Sequence, residues 1–193
     1  MPLPRSFYYH PTLSVARRLI GARLVRILNG IKLVAIITET EAYISEADLA
    51  CHAKAGRTPR TAVMYGAPGH AYVYFTYGHH WMLNVVTERE EFPAAVLIRA
   101  VQPIQGVELI SKRRSGGDTF GPGKLTQALG ITKSEYGVDL TAVHSPLRIE
   151  AGKAVPDSFV TIGPRVGLNT VPEPWLSKPW RFLVKGWKID VPG

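Results

Sequence analysis

Cysteine is almost missing from this chain, with Cys51 the single one. One thiol excludes an intramolecular disulfide, leaves folding to the apolar core, and suits a reducing cytoplasm. Long hydrophobic runs are missing too. No stretch approaches the roughly 18 apolar residues that a membrane helix needs. The first residues, Met1 to Tyr8, have neither the charged start nor the apolar run of a signal peptide. The expectation is a soluble, cytoplasmic protein with no membrane partner. No Gly-x-Ser-x-Gly elbow, phosphate loop or dinucleotide fingerprint occurs, so no nucleotide cofactor is expected. His52, His79, His80 and Cys51 follow no zinc-ligand spacing, and adjacent His79 and His80 should point to opposite strand faces, so no metal is expected either.

Acidic residues are scarce and oddly placed. Residues 1–38 hold six basic side chains (Arg5, Arg17, Arg18, Arg23, Arg26 and Lys32) and no acid. Residues 39–50 reverse this with Glu39, Glu41, Glu46 and Asp48 and no base, and residues 51–87 return to bases alone. The formal charge is +8, which points to a polyanionic partner, although many nucleases and plain basic enzymes share it. Carboxylates inside such a field need a reason. Capping and pairing with nearby arginines is one; chemistry is the other.

Of the 193 residues, 46% are apolar, enough for a core without covalent staples. Pro11, apolar Leu13, Ala16 and Ile20, then Gly21 predict a short helix with a start and a stop. Segments 22–28 and 31–43 read as strands joined at Asn29-Gly30, a strong two-residue hairpin signal. Segments 70–77 and 80–87 read as a second hairpin with Gly78-His79 at its tip, and 94–102 as a buried strand. Helices are predicted near 104–114 and 124–129, and short strands at 147–151, 158–162 and 180–188. The pattern predicts one α+β domain over residues 1–193, with a curved, mainly antiparallel sheet, flanking helices and a protruding hairpin.

Strict alternation from Ile31 sends Leu33, Ala35, Ile37, Glu39, Glu41 and Tyr43 to one face. A carboxylate ending an apolar stripe sits at the sheet rim or in a pocket, where desolvation would suit it to general-base work. Arg99 interrupts the most apolar strand on the face of Ala95, Leu97 and Val101; a buried guanidinium needs an anion, and Glu41 is the natural candidate. Asn84 among Met82, Leu83, Val85 and Val86 reads as a satisfied buried amide. His52 has no fixed reading from pattern. The rings of Tyr77, His79, His80 and Trp81 crowd the hairpin tip. Cross-strand packing explains such rings, and so does a wedge or stacking platform for bases.

The run Thr38-Glu39-Thr40-Glu41-Ala42-Tyr43, followed by Asp48, Ala50-Cys51-His52-Ala53 and Arg57-Thr58-Pro59-Arg60, resembles the alkyladenine (3-methyladenine) DNA glycosylase family. So do Tyr72 to Gly78, Met82-Leu83-Asn84-Val85, Val96 to Ala100, Gly121 to Leu125, Pro164-Arg165-Val166-Gly167 and Lys178 to Phe182. The resemblance spans nearly the whole chain in order. It implies a monofunctional enzyme that flips an alkylated or deaminated purine from double-stranded DNA and hydrolyses its N-glycosidic bond, initiating base excision repair, as a monomer without cofactor or metal. Glu41 would be the general base directing water, with Arg99 and the carbonyl of Val166 holding that water. Tyr43, His52 and Tyr74 would sandwich the base, and Asn84 would exclude guanine. Tyr77 would be the wedge; Met64, Arg57, Thr58 and Lys124 would touch the DNA backbone or groove. The segment after His52 is one residue shorter than in the mammalian member, and that member's N-terminal extension has no counterpart. A non-catalytic nucleic-acid binder and a metal-dependent hydrolase are the rival readings.

Overall fold

The computed structural model describes residues 1–76 and 78–188. Two short helices, α1 (Arg5–Tyr8) and α2 (Thr12–Leu19), open the chain. The strands are β1 (Arg23–Leu28), β2 (Ile31–Ile44), β3 (Ala71–Thr76), β4 (His80–Val86), β5 (Ala94–Gln105), β6 (Leu147–Glu150), β7 (Val160–Gly163) and β8 (Arg181–Val184). Helices α3 (Val107–Arg113) and α4 (Pro122–Leu129) follow β5. The predicted helices and strands are all present within a few residues; α1 had no periodic signal because it is a single turn.

Every pairing is antiparallel, and the curved sheet runs β3-β4-β5-β2-β1-β6, with β8 beside β2 and β7 beside β8. Asn29 and Gly30 take φ of 50° and 78°, the left-handed pair that a tight hairpin turn demands. The main core lies on the face that carries Leu33, Ala35 and Ile37, together with Val15 and Leu19 of α2 and Leu125 and Leu129 of α4. Gly123 lets α4 close on the second hairpin: a Cβ there would come within 2.6 Å of the His80 ring. A smaller apolar cluster of Cys51, Ala53, Met64, Tyr65, Tyr72, Val86 and Ala95 forms elsewhere. No helix among the described residues is long and apolar enough to cross a membrane.

Strict alternation along β2 does not hold. Ile37 opposes Val101, Glu39 opposes Ala100 and Thr40 opposes Ile98, so Thr38 on β2 and Arg99 on β5 are each extra residues. Such bulges reverse the parity of a strand. Leu33, Ala35 and Ile37 share the main core with Ala42, and the Thr40 hydroxyl donates to the Ala16 carbonyl of α2 at 2.9 Å. Glu39, Glu41 and Tyr43 are thereby turned away from Leu33, Ala35 and Ile37. The same shift separates Val101, in the main core, from Ala95, Leu97 and Arg99, which line a cavity.

Candidate active site

The second half of β2 and its bulged partner β5 wall a cavity of about 430 Å³. Tyr43, His52, Tyr74, Asn84, Arg99 and Val166 all line it, so the residues expected to carry the chemistry and bind the base converge from six separate stretches of chain. Glu41 lies behind that wall with no exposed surface. Its Oε1 accepts the Val166 backbone N–H at 2.7 Å, and its Oε2 accepts the Tyr43 hydroxyl at 2.8 Å. The Arg99 Nε stands 3.3 Å from Oε1 of Glu41 and donates at 3.0 Å to Oε1 of Glu39, which also receives Arg181 at 3.1 Å. Burial holds the Glu41 carboxyl above its ordinary range; Arg99, the Val166 N–H and the Tyr43 hydroxyl pull down and Glu39 pushes up. The resemblance gave Val166 a role through its carbonyl, whereas the contact to Glu41 is made by its N–H.

What carries Val166 to Glu41 is a second buried ion pair. Asp48 accepts both terminal amines of Arg165, at 2.5 and 2.9 Å, and neither side chain is exposed. Arg165 also donates to the carbonyls of Ala42 at 3.0 Å and Trp175 at 3.3 Å, and its guanidinium lies 4.7 Å from the Tyr43 ring centre. Asp48 in turn accepts the backbone N–H groups of Ile44 and Ala50, at 3.2 and 3.0 Å. One carboxylate thus fixes the turn leading to His52 and the loop leading to Val166. The acidic island divides accordingly: Glu39 and Asp48 pair with arginines, Glu46 accepts the Tyr65 hydroxyl at 2.6 Å, and Glu41 alone is both shielded and incompletely paired.

Rings dominate the rest of the cavity. His52 and Tyr74 meet edge to face with centres 4.5 Å apart, and Tyr74 tilts against Tyr72 at 5.2 Å. His52 Nδ1 and the Tyr72 hydroxyl are 2.9 Å apart. Burial first, then the charges of Arg60 and Lys54, depress His52 to about 4, so its ring is neutral near pH 7. The Arg60 guanidinium lies 4.8 Å from the Tyr74 ring centre. Asn84, 3% exposed, donates to the Tyr72 carbonyl at 3.1 Å, the satisfied amide expected, and still faces the cavity. Burial pushes the Cys51 thiol up to about 12, which leaves it unreactive. No group of three or more His, Cys, Asp or Glu side chains among the described residues is placed to hold a metal ion.

The residues expected at the DNA are more scattered. Tyr77 lies outside the described residues. Met64 is 1% exposed within the smaller apolar cluster and faces the cavity, so as placed it cannot reach a phosphate or groove. Its short helical turn, Ala62–Tyr65, is tucked inward, and the resemblance that gave Met64 its DNA role carries no information on burial. Arg57 is exposed and held by Glu91 at 3.0 and 3.1 Å. The Thr58 hydroxyl shares a 3.0 Å hydrogen bond with that of Thr61. Lys124, in the first turn of α4, donates to Asp118 at 3.0 and 3.1 Å. The His79 and His80 rings lie 3.9 Å apart instead of on opposite faces, because His79 belongs to the turn and not to a strand. Sequence reasoning missed Arg165, Arg181 and Arg60. All three stand inside motifs that it quoted, and no spacing rule connects Arg165 and Arg181 with acids more than a hundred residues away.

Comparison with known proteins adds an independent line. The family model described as methylpurine-DNA glycosylase matches residues 6–188. A relative from Methanocella arvoryzae is 48% identical over 188 residues, covering 95% of this chain and 92% of the relative. One from Myxococcus xanthus is 46% identical over 183 residues, covering 95% and 90%, and one from Bacillus cereus is 44% identical over 199 residues, covering 96% and 97%. All three are provisionally named 3-methyladenine DNA glycosylases. On the match along nearly its whole length, the chain belongs to the methylpurine-DNA glycosylase family.

Proposed function

We propose that this enzyme takes a damaged purine, alkylated or deaminated (3-methyladenine, hypoxanthine and etheno-adenine among them), out of duplex DNA and hydrolyses its bond to the sugar with Glu41 as general base. The observation that carries the reading is a wholly buried carboxylate, held above its ordinary ionisation range, directly behind an aromatic cavity. A base inside a duplex is shielded at the sugar carbon, so excision requires extrusion at a cost of a few kcal/mol. Tyr43 on one side, with His52 and Tyr74 on the other, supplies rings against which a flat purine can stack. Their π-faces attract a cationic N-alkylated base by about 0.5–2 kcal/mol. Asn84 on the cavity wall is suited to crowd a guanine 2-amino group. Tyr77 is assigned as the wedge that fills the vacated stack, and Arg57, Thr58 and Lys124 as contacts to the backbone.

In the reaction, the electron pair of the C1′–N bond leaves with the purine and the sugar gains oxocarbenium character. Water adds to C1′, and Glu41 accepts its proton, while the negative carboxylate stabilises the developing cation. Arg99 and the Val166 carbonyl help to orient that water. An alkylated cationic purine departs neutral; a neutral purine needs a proton, which neutral His52 does not supply. With water as nucleophile the product is an intact abasic site and no imine forms with the protein. The enzyme acts as a monomer and needs no cofactor. A panel of duplexes bearing hypoxanthine, 1,N6-ethenoadenine or undamaged bases, together with methylated DNA, assayed for released free base, tests the reading. Release of 3-methyladenine and of hypoxanthine, surviving a chelator, is expected. Tight binding to lesion DNA with no base released would leave a non-catalytic binder, and a covalent adduct trapped by borohydride would replace water by an amine.

A further inference from the structure

The hydroxyl of Tyr43 has a task separate from that of its ring. A carboxylate has about four positions for accepting hydrogen bonds. On Glu41, the Val166 N–H at 2.7 Å occupies Oε1, with the Arg99 Nε 3.3 Å away as an ion-pair neighbour whose N–H points to Glu39. Oε2 receives the Tyr43 hydroxyl at 2.8 Å and keeps one further position among the described residues. A water accepted there would be oriented by the hydroxyl beside it. The Tyr43 ring is itself held by Arg165, 4.7 Å from its centre, and Arg165 is locked to Asp48. The hydroxyl is therefore a fixed strut and not a rotating group.

Arg99 divides its charge in the opposite sense. Its Nε is nearer to Glu39, at 3.0 Å, than to Glu41. Arg181 reaches Glu39 from β8 at 3.1 Å. The charged and titratable groups around Glu41 are thus Glu39 and Tyr43 from β2, Arg99 from β5, Arg181 through Glu39, and Arg165 already neutralised by Asp48. We propose that Tyr43 and Glu39 are positioning residues for the general base: the Tyr43 hydroxyl orients the carboxylate and favours its charged form, while Glu39 draws Arg99 away from it. A donor to the charged form stabilises that form, and a competing anion weakens the guanidinium's help. Burial alone favours the protonated carboxyl, which cannot take a proton from water; the Tyr43 hydroxyl, the Val166 N–H and Arg99 oppose it, and Glu39 does not. The inference rests on the reading of Glu41 given above.

The test uses Tyr43→Phe, which keeps the stacking ring, and Glu39→Gln, each in the full-length enzyme. Single-turnover excision of hypoxanthine is followed against pH, with lesion-duplex affinity measured alongside. Tyr43→Phe should bind within about twofold of the parent, lose about tenfold in plateau rate, and shift the acid limb upward by about one pH unit. Glu39→Gln should move the limb the other way, because Arg99 then serves Glu41 alone. A limb unmoved in both variants overturns the proposal, and so does a loss of affinity in Tyr43→Phe with the limb unmoved, which would make the residue a stacking ring only. Retained turnover in Glu41→Gln would remove the general base itself, and that failure is distinct from an unmoved limb over an inactive Glu41→Gln.

Discussion

Glu41 and Asp48 stand seven residues apart, neither side chain is exposed, and each faces an arginine. Asp48 takes two parallel donors from Arg165 and two backbone N–H groups, so all its acceptor positions are occupied. Glu41 meets its arginine through a single nitrogen, shared with Glu39 at a shorter distance. A bidentate guanidinium with complementary amide donors offsets the desolvation of a buried carboxylate; one divided nitrogen offsets less. Burial accordingly prevails at Glu41 and raises it. The contrast separates a carboxylate that holds loops in place from the one proposed as the base, and completeness of pairing, not depth, is the distinguishing property.

The largest effect expected from disturbing this contrast is on catalysis. Glu41→Gln should reduce excision by about 10²–10⁴-fold, the range for a lost general base. DNA affinity should stay near the parent's because the residues proposed to contact phosphates lie elsewhere. Single-turnover base release and a binding titration measure the two, and equal loss in both would assign Glu41 to binding. The same isosteric change at Asp48 should act on folding. Asp48→Asn leaves Arg165 buried without its anion, which costs about 3–5 kcal/mol. A thermal melt should show the loss, and an unchanged midpoint would refute the structural role.

The smallest effect has the opposite sign. Because the folded-state Glu41 is raised, the native chain holds its proton where the unfolded chain releases it. Stability contributed by the protonated carboxyl is therefore lost as pH rises from the ordinary carboxylate range through the raised folded value. Glu41→Gln removes that loss, so its melting midpoint should lie above the parent's at neutral pH, with the gap closing as pH falls below the ordinary range. A gap that widens in acid would show that Glu41 is stabilised in its ionised form, as Asp48 is by its partners.

Much of the frame was legible in the sequence. Asn29-Gly30 located the first hairpin, and the unbroken apolar run from Ala94 located β5, because turn dihedrals and burial are local properties. The order of strands in the sheet and the two bulges at Thr38 and Arg99 were not legible. A bulge depends on what lies opposite, and alternation counted along one strand cannot register an extra residue on its neighbour. For the same reason Glu41 was paired correctly with Arg99 while Glu39, the nearer partner, was passed over. Met64 was placed at the DNA by the resemblance alone, which carries no burial, and a single short helical turn holds it inward. Arg165 and Asp48 lie 117 residues apart, and only folding brings them together.

The paired bulges also divide β2 by consequence. Before Thr38 the strand's inward residues answer to the helices, and after it alternate residues answer to the cavity. Straightening the strand there, with Thr38 kept as an ordinary strand residue, would carry Glu41 and Tyr43 into the helix-packed interior and turn Thr40 and Ala42 toward the cavity, with backbone hydrogen bonding nearly conserved. A single hinge of register therefore decides whether this sheet is an enzyme or merely a scaffold.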